Sequence, residues 1–541
     1  MRSTTEENSP LVDSSDRHST RSYNTVTDNV ASPFETDKRI GVSLATLTLC
    51  LAIGSCLPGL DTSIVYTAMS RIGTDFESSN QIAWIQSSYT LCSLITLPIA
   101  GKLSDIVGRR PVLLTLTTLF FIGSVGCGYA SDLTQMIVFR AIAGLGGGGL
   151  NLLGNVVIHD VVPADQRNRY LSYISTVQTI GFPLGSPLGG FITDTLGWRY
   201  CFKINIVPLL LLLYVYTFHL KSYKVAGQSQ RSLRMIDFPG IAMLAGGNIL
   251  LAVTLLMGGN IRAWSDPIII GSAITSFGFY VVFTLYQAKW AKYPLVSRVA
   301  RSNYNVVGSC LIILLTGAGE AAFLIMIPQF CQGVMHTSAG GAGVWVMIEA
   351  VAVPVGCFAA GKIIGYTSGR FYKHLLLSAL LYSLSLIGVA EWMATRITSL
   401  MVAGLFVLAE GYTYGALLVS LYTAVASDLP SEEVASAMSM VMMARYMGYL
   451  VGVASCSAIV QGSLKMILSN RLSGPDAAEL VEFIRTSIGK VSSLRPEIQE
   501  MVAQALATSL ERAGWVAAAV TATAILIAIR MKDVNNIKST D

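Results

Sequence analysis

Charge is what this 541-residue chain has least of: Asp, Glu, Lys and Arg make up 13% of it, about half the share in a soluble globular protein. A water-facing chain of this length would divide into several domains, each needing a charged shell, and these charges are too few to cover them. Hydrophobic residues make up 52%, so the missing solvent surface is lipid. Other absences narrow the chemistry. There is no G-x-x-x-x-G-K-[ST] run for a nucleotide and no H-E-x-x-H for zinc, which argues against an ATP-driven pump or an intramembrane enzyme. The nine cysteines (Cys50, Cys56, Cys92, Cys127, Cys201, Cys310, Cys331, Cys357, Cys456) form no C-x-x-C pair and have no histidine at metal spacing. They read as small packing residues, and no cofactor or metal is expected. The net charge of +5 does not imply nucleic acid, because the basic residues occupy short loops and form no patch.

What is present is a succession of apolar runs. They lie near 40–68, 82–101, 112–130, 134–157, 170–192, 202–219, 238–258, 268–287, 303–328, 340–364, 374–393, 398–426, 434–461 and 513–531, fourteen candidate spans. The first run follows Lys38 and Arg39, too far from Met1 for a cleaved signal peptide, so the first span is expected to remain. Residues 1–37 are rich in Ser, Thr, Asp, Asn and Glu and read as a disordered tail. Basic residues concentrate in alternate loops: Lys102, Arg109 and Arg110; Arg167 and Arg169; Lys221, Lys224, Arg231 and Arg234; Lys289, Lys292, Arg298 and Arg301; Lys362, Arg370 and Lys373. That bias places both termini in the cytosol. A connection at 462–511 then lies on the far side. Its pattern Leu480, Ile484, Ile488 and Ile498, Val502, Leu506 predicts two short amphipathic helices.

An internal repeat organises these spans. The loop after span two reads G-K-L-S-D-I-V-G-R-R from Gly101, and the loop after span ten reads G-K-I-I-G-Y-T-S-G-R from Gly361, an offset of 260 (361 − 101). An even number of spans separates the two loops, so the repeats run parallel and a cavity is expected between two six-helix halves. The resulting division is a tail 1–37, a first half 38–220, two inserted helices with linkers at 221–301, a second half 302–531 and a cytosolic tail 532–541.

These residues resemble the major facilitator superfamily, and within it the fourteen-span proton-coupled antiporters. Gly101, Lys102, Leu103, Asp105, Gly108, Arg109 and Arg110 match the family's cytosolic loop motif. Arg140 with Gly144 and Gly146 is similar to the branch's arginine motif, with Ala143 where a Gln is usual. Gly181, Gly185, Gly189 and Gly190 match the antiporter glycine motif in span five, with Ser186 in the proline position and Pro187 one place later. Leu60, Asp61, Thr62, Ile64, Val65 and Ala68 resemble the motif ending span one, and Trp198, Arg199, Phe202, Ile204 and Asn205 the one opening span six. The match covers about residues 40–531 and implies an all-α membrane protein, the major facilitator fold in a 6+2+6 arrangement of fourteen helices. The pattern is also similar to that of fungal vacuolar basic amino acid transporters. In these terms Glu6, Glu7, Leu11 and Val12 resemble an acidic dileucine signal for a sorting adaptor.

Charge inside the bilayer is the most informative chemistry, because an ionised group at mid-membrane costs at least about 2.5 kcal/mol. Asp61 and Glu320 interrupt apolar segments at an offset of 259 (320 − 61), nearly the repeat distance. They are expected to face one cavity from equivalent helices as a site for a cation and a proton; a hydrogen bond to a neighbouring helix is the alternative. Arg140 stays charged and would bias a nearby carboxylate or hold a helix contact. Glu349, Glu410 and Arg445 also interrupt apolar runs, and Glu410 and Arg445 are expected to neutralise each other. Glu391 and His159 near span ends are expected to snorkel to the headgroups. Asp105 with Arg109 and Arg110 reads as a gating latch; Lys362 and Arg370 recur in the second loop, but Gly365 replaces the aspartate. The span-five glycines and Pro187 serve helix packing.

The expected function is a proton antiporter moving lysine, arginine or histidine into the vacuole, its partners being a cationic amino acid, protons and the bilayer. A multidrug or siderophore antiporter at the plasma membrane, and a non-transporting nutrient sensor, stay open on the sequence alone.

Overall fold

The computed structural model describes residues 43–533, apart from 163, 221–232, 296–300, 368–369, 397–398, 428, 430 and 474–475. The expected tail at 1–37 and the sorting residues Glu7, Leu11 and Val12 lie outside the described residues, as does most of the tail at 532–541.

The first half consists of α1 (Leu44–Asp75), α2 (Ala83–Val107), α3 (Arg109–Tyr129), α4 (Leu133–Val161), α5 (Ala164–Thr195), a short α6 (Arg199–Lys203) and α7 (Ile206–Phe218). The inserted pair is α8 (Phe238–Met257) and α9 (Pro267–Lys289). The second half is α10 (Tyr304–Gly333), α11 (Ala339–Tyr366), α12 (Tyr372–Thr395), α13 (Leu400–Ser427), α14 (Ser431–Arg471), α15 (Ala477–Thr486) and α16 (Pro496–Ala528). Helix is the form that satisfies every backbone group within its own segment, which lipid demands. The first free amides at several helix starts are met by side-chain acceptors: Ser43, Asp132, Asp237, Asp266, Asn303 and Ser338.

Thirteen of the described helical segments are long and apolar enough to cross a membrane. The fourteenth expected span, α5, is 32 residues long but more polar, because Gln178 and Thr179 line an internal cavity. The halves repeat one plan. In the first, α1 packs on α5, and α2 and α3 on α4; in the second, α10 packs on α14, and α11 and α12 on α13. The halves meet where α5 lies on α11 and α2 on α14. The inserted hairpin packs on α2 and α14 and exposes Ile270, Ile274 and Phe277 on α9, a lipid-facing surface.

Small residues set the helix spacing. A side chain at Gly181, Gly185 or Gly189 would press into the α1 backbone at Cys56, Leu60 and Ile64, so the four-residue step on α5 matches the four-residue step on α1. Ser186, which replaces the family's proline, pairs its hydroxyl with Ser63 of α1. Gly190 instead faces Ala339 and Gly340 of the other half.

The connection expected at 462–511 is shorter than predicted. Helix α14 continues to Arg471 and α16 begins at Pro496, so Ile498, Val502 and Leu506 belong to the last span and not to a separate helix. Their spacing is the inward stripe of a long helix, and Val502 and Leu506 are buried. Leu480 and Ile484 do lie on a short amphipathic helix, α15, followed by a 3-10 turn at Ile488–Ser493.

Candidate functional site

Two adjoining cavities lie between the halves, of about 580 Å³ and 340 Å³, within the range of small-molecule sites. Gln178 and Phe182 of α5 and Arg445 and Tyr449 of α14 border both. The larger is walled by Glu320 of α10, Glu349 of α11 and Tyr414 of α13. The smaller is walled by uncharged polar groups of the first half, among them Thr62, Gln86, Tyr89, Ser93, Asn151 and Asn155. Phe358, Asn155 and Met442 extend the lining towards the face that carries the Gly101–Arg110 loop, because α4 and α11 end on that face and α14 starts there.

Three carboxyl groups meet beside the larger cavity, with Glu320 and Glu349 in its lining and Glu410 behind them. Oxygens of Glu320, Glu349 and Glu410 all lie within 4.8 Å of one another, and the side chains are 3%, 1% and 0% exposed. Both oxygens of Glu410, and one each of Glu320 and Glu349, have no hydrogen-bond partner. No ion pair engages them among the described residues. Three carboxylates this close, away from water, stay together only with positive charge supplied by protons or by a bound cation.

Arg445 is the cation beside them, and its partners are neutral. Its Nε donates to the Tyr414 hydroxyl at 3.2 Å and its Nη2 to the Tyr449 hydroxyl at 2.8 Å. The guanidinium lies over both rings, 5.6 and 5.3 Å from their centroids. The expected pairing of Glu410 with Arg445 is therefore corrected: Tyr414, one turn along α13 from Glu410, takes the guanidinium, while Glu410 turns to the other two acids.

Asp61 and Glu320 do occupy matching places, eighteenth in α1 and seventeenth in α10. They do not share a cavity, however. Glu320 borders the larger cavity, whereas Asp61 is 1% exposed and borders neither. The reason is Arg140, which reaches from α4 to Asp61 with Nη1 to carboxylate oxygen at 2.5 Å. Asn205 donates to the other Asp61 oxygen at 2.9 Å, and the guanidinium stacks on Tyr89 at 4.3 Å. Sequence reasoning thus singled out Arg140 without its partner, and Glu349 and Glu410 without their company. The missed signal is depth: Asp61, Glu320, Glu349 and Glu410 lie 14, 13, 10 and 10 residues from the helix ends at one face.

At the loop motif, Arg109 is 5% exposed and binds Asp105, the Ser104 hydroxyl at 2.7 Å and Asp160 of α4 at 2.7 Å. Arg110 donates to the Tyr216 carbonyl at 3.0 Å and to Thr217. This ties α2, α3, α4 and α7 together inside the first half. In the second loop, Lys362 lies over Phe358 at 4.6 Å. Glu391 and His159 are exposed near helix ends.

The opposite face is closed by bonds between the halves. Asp194 at the end of α5 accepts from the Ala339 and Gly340 amides that start α11, at 3.2 and 2.8 Å. Gln332 donates to the Thr67 carbonyl at 3.1 Å. The turn after α15 reaches across to α1, with Gly489 N on Thr74 at 3.1 Å and Lys490 on Glu77 at 2.5 Å. The lysine hydrogen bond holds the Glu77 carboxyl below its ordinary value.

A two-half helical bundle with a central cavity is the architecture of a carrier. The model of the Major Facilitator Superfamily matches residues 51–453. The chain belongs to that superfamily. The vacuolar membrane amino acid uptake transporter fnx2 of Schizosaccharomyces pombe is 28% identical over 488 residues, covering 87% of this chain and 81% of that one. The multidrug resistance protein fnx1 of the same yeast is 27% identical over 478 residues, with 87% and 89% covered. Vacuolar basic amino acid transporter 2 of Saccharomyces cerevisiae is 27% identical over 470 residues, with 83% and 97% covered. Among solved structures, an inward-facing and occupied bacterial homolog of the human lysosomal transporter Spinster superposes with a TM-score of 0.65 at 15% identity, over 90% of this chain and 97% of that one. That last likeness concerns the fold alone. This major facilitator protein is a multi-pass membrane transporter and not an enzyme.

Proposed function

We propose that the transporter exchanges protons for basic amino acids, lysine, arginine or histidine, and carries them from the cytosol into the vacuole. The observation that carries this reading is an imbalance between equivalent places in the two halves. The first half supplies its own counter-ion, Arg140, to the acid on α1. In the second half the acid on α10 meets Glu410 on α13, where the first half has its arginine on α4, and gains Glu349 as well. Arg445 beside them is bonded to tyrosine hydroxyls and not to these acids, so the cluster suits an ammonium, a guanidinium, an imidazolium or protons.

With the loop-motif face in the cytosol, as the basic loops suggest, the cavity opens to the cytosol and the bonded face is the lumenal one. A cationic side chain entering from the cytosol docks at Glu320 and Glu349, and after the halves rock, lumenal protons displace it. Each pH unit supplies about 1.4 kcal/mol per proton. Relatives named for vacuolar amino acid transport support the substrate and the compartment. Uptake of labelled lysine into vacuolar vesicles with and without the protein tests the reading: uptake that needs the protein and collapses with a protonophore is expected, and equal uptake in both sets of vesicles refutes it.

A second reading, a multidrug antiporter at the plasma membrane, draws on relatives of equal identity named for drug resistance. A tagged chain at the cell surface, with efflux of a lipophilic cation and no lysine transport, would favour it.

A further inference from the structure

We propose that Arg445, held by Tyr414 and Tyr449, is the carboxylate-binding subsite of the cavity. Its ligand is then a whole amino acid with a cationic side chain and not a simple organic cation or polyamine. This rests on the basic amino acid reading and adds a second contact to it.

The guanidinium is placed to receive an anion. It borders both cavities, so it stands between the acidic wall and the neutral polar wall. Its protein partners are two hydroxyls, which hold it in place without cancelling its charge. Nη1 has no partner among the described residues. The two hydroxyls lie 3.3 Å apart and occupy the Nε and Nη2 edge of the fork. A ligand in the larger cavity thus meets a fixed positive group as well as the carboxyl groups of Glu320 and Glu349. Free lysine and arginine carry a carboxylate and a side-chain cation, and histidine does so once its imidazole is protonated. The amides of Gln86, Asn151 and Gln178 border the smaller cavity, where neutral acceptors and donors can take an α-amino group; Oε1 of Gln86 and Oδ1 of Asn151 have no partner.

The arrangement also rejects the decarboxylated analogue. Cadaverine is lysine without its carboxylate, and agmatine is arginine without it. Either would leave Arg445 without an anion and keep an ammonium near it that no carboxylate offsets, so the lost attraction favours the amino acid.

The test uses the full chain in proteoliposomes with an acidic interior. Uptake of labelled lysine is measured against unlabelled lysine, lysine methyl ester and cadaverine, and uptake of labelled cadaverine is measured directly. Wild type is expected to prefer lysine by about tenfold or more over the ester and cadaverine. Arg445→Gln is expected to lose lysine uptake while cadaverine uptake is unchanged or higher, and Arg445→Lys to recover part of the preference. Wild-type uptake of cadaverine or the ester equal to that of lysine overturns the carboxylate subsite and leaves the basic amino acid reading standing; this comparison needs no variant to fold. Failure to take up lysine, arginine or histidine overturns the basic amino acid reading itself.

Discussion

The ion pair between Asp61 and Arg140 allows a stability experiment whose size follows from its burial. The two groups meet at 2.5 Å with side chains 1% and 0% exposed. Removing one partner leaves a charge with no water to turn to, which costs about 3–5 kcal/mol. Arg140→Gln leaves the carboxylate with Asn205 as its remaining donor; Asp61→Asn leaves the guanidinium on the face of Tyr89 and near the Ile85 carbonyl at 3.4 Å. Asp61→Asn combined with Arg140→Gln removes both charges and is expected to regain much of the loss. Ordinary polar pairs between membrane helices couple by at most about 1.7 kcal/mol, so a coupling above about 2 kcal/mol marks a sealed ion pair. Unfolding of wild type, both single variants and the double variant by sodium dodecyl sulfate in mixed micelles measures it. Additive losses, or an Asp61→Asn chain as stable as wild type, would refute the reasoning.

Three further outcomes are expected. Glu349→Gln should lower lysine uptake by about tenfold or more without loss of stability, because it removes a like charge from the cluster; a destabilised protein with normal uptake would assign Glu349 to packing. Gly185→Leu should destabilise by about 1–3 kcal/mol or more, since its Cβ would stand 2.6 Å from the Leu60 carbonyl, whereas Gly361→Ala, with nothing within 4 Å, should be neutral. Asp194→Asn weakens the charge-assisted cap on α11 by about 0.5–2 kcal/mol, so spin labels at Arg71→Cys and Ser493→Cys should populate a longer distance; an unchanged distance distribution would remove Asp194 from the closure.

Much of the fold was legible in the sequence because lipid enforces it. A run of about 20 apolar residues has few other places to go, and the 101 and 361 loops disclosed the duplication before any helix was placed. The α5 glycines were legible as packing residues because their four-residue step can serve a neighbouring helix, and α1 proved to be that neighbour. The site was legible only in its residues. Asp61, Glu320, Glu349, Glu410, Arg140 and Arg445 all stood out as charges in apolar runs, but their grouping depends on which helices adjoin and how each is rotated. Matching Asp61 to Glu320 by repeat distance found equivalent places, yet equivalent places in two halves are related by symmetry and need not touch. The 462–511 segment misled because an amphipathic stripe looks the same on a short surface helix and on the end of a long one.

The central claim is that the Glu320, Glu349 and Glu410 cluster trades protons for the cation it carries. Proton release on lysine binding to the detergent-purified protein, read with a pH indicator in weak buffer, tests this most directly. Lysine is expected to release protons in wild type, and the Glu320→Gln, Glu349→Gln and Glu410→Gln triple variant to release none. Lysine binding with no proton release in wild type, or undiminished release in the triple variant, would contradict the claim.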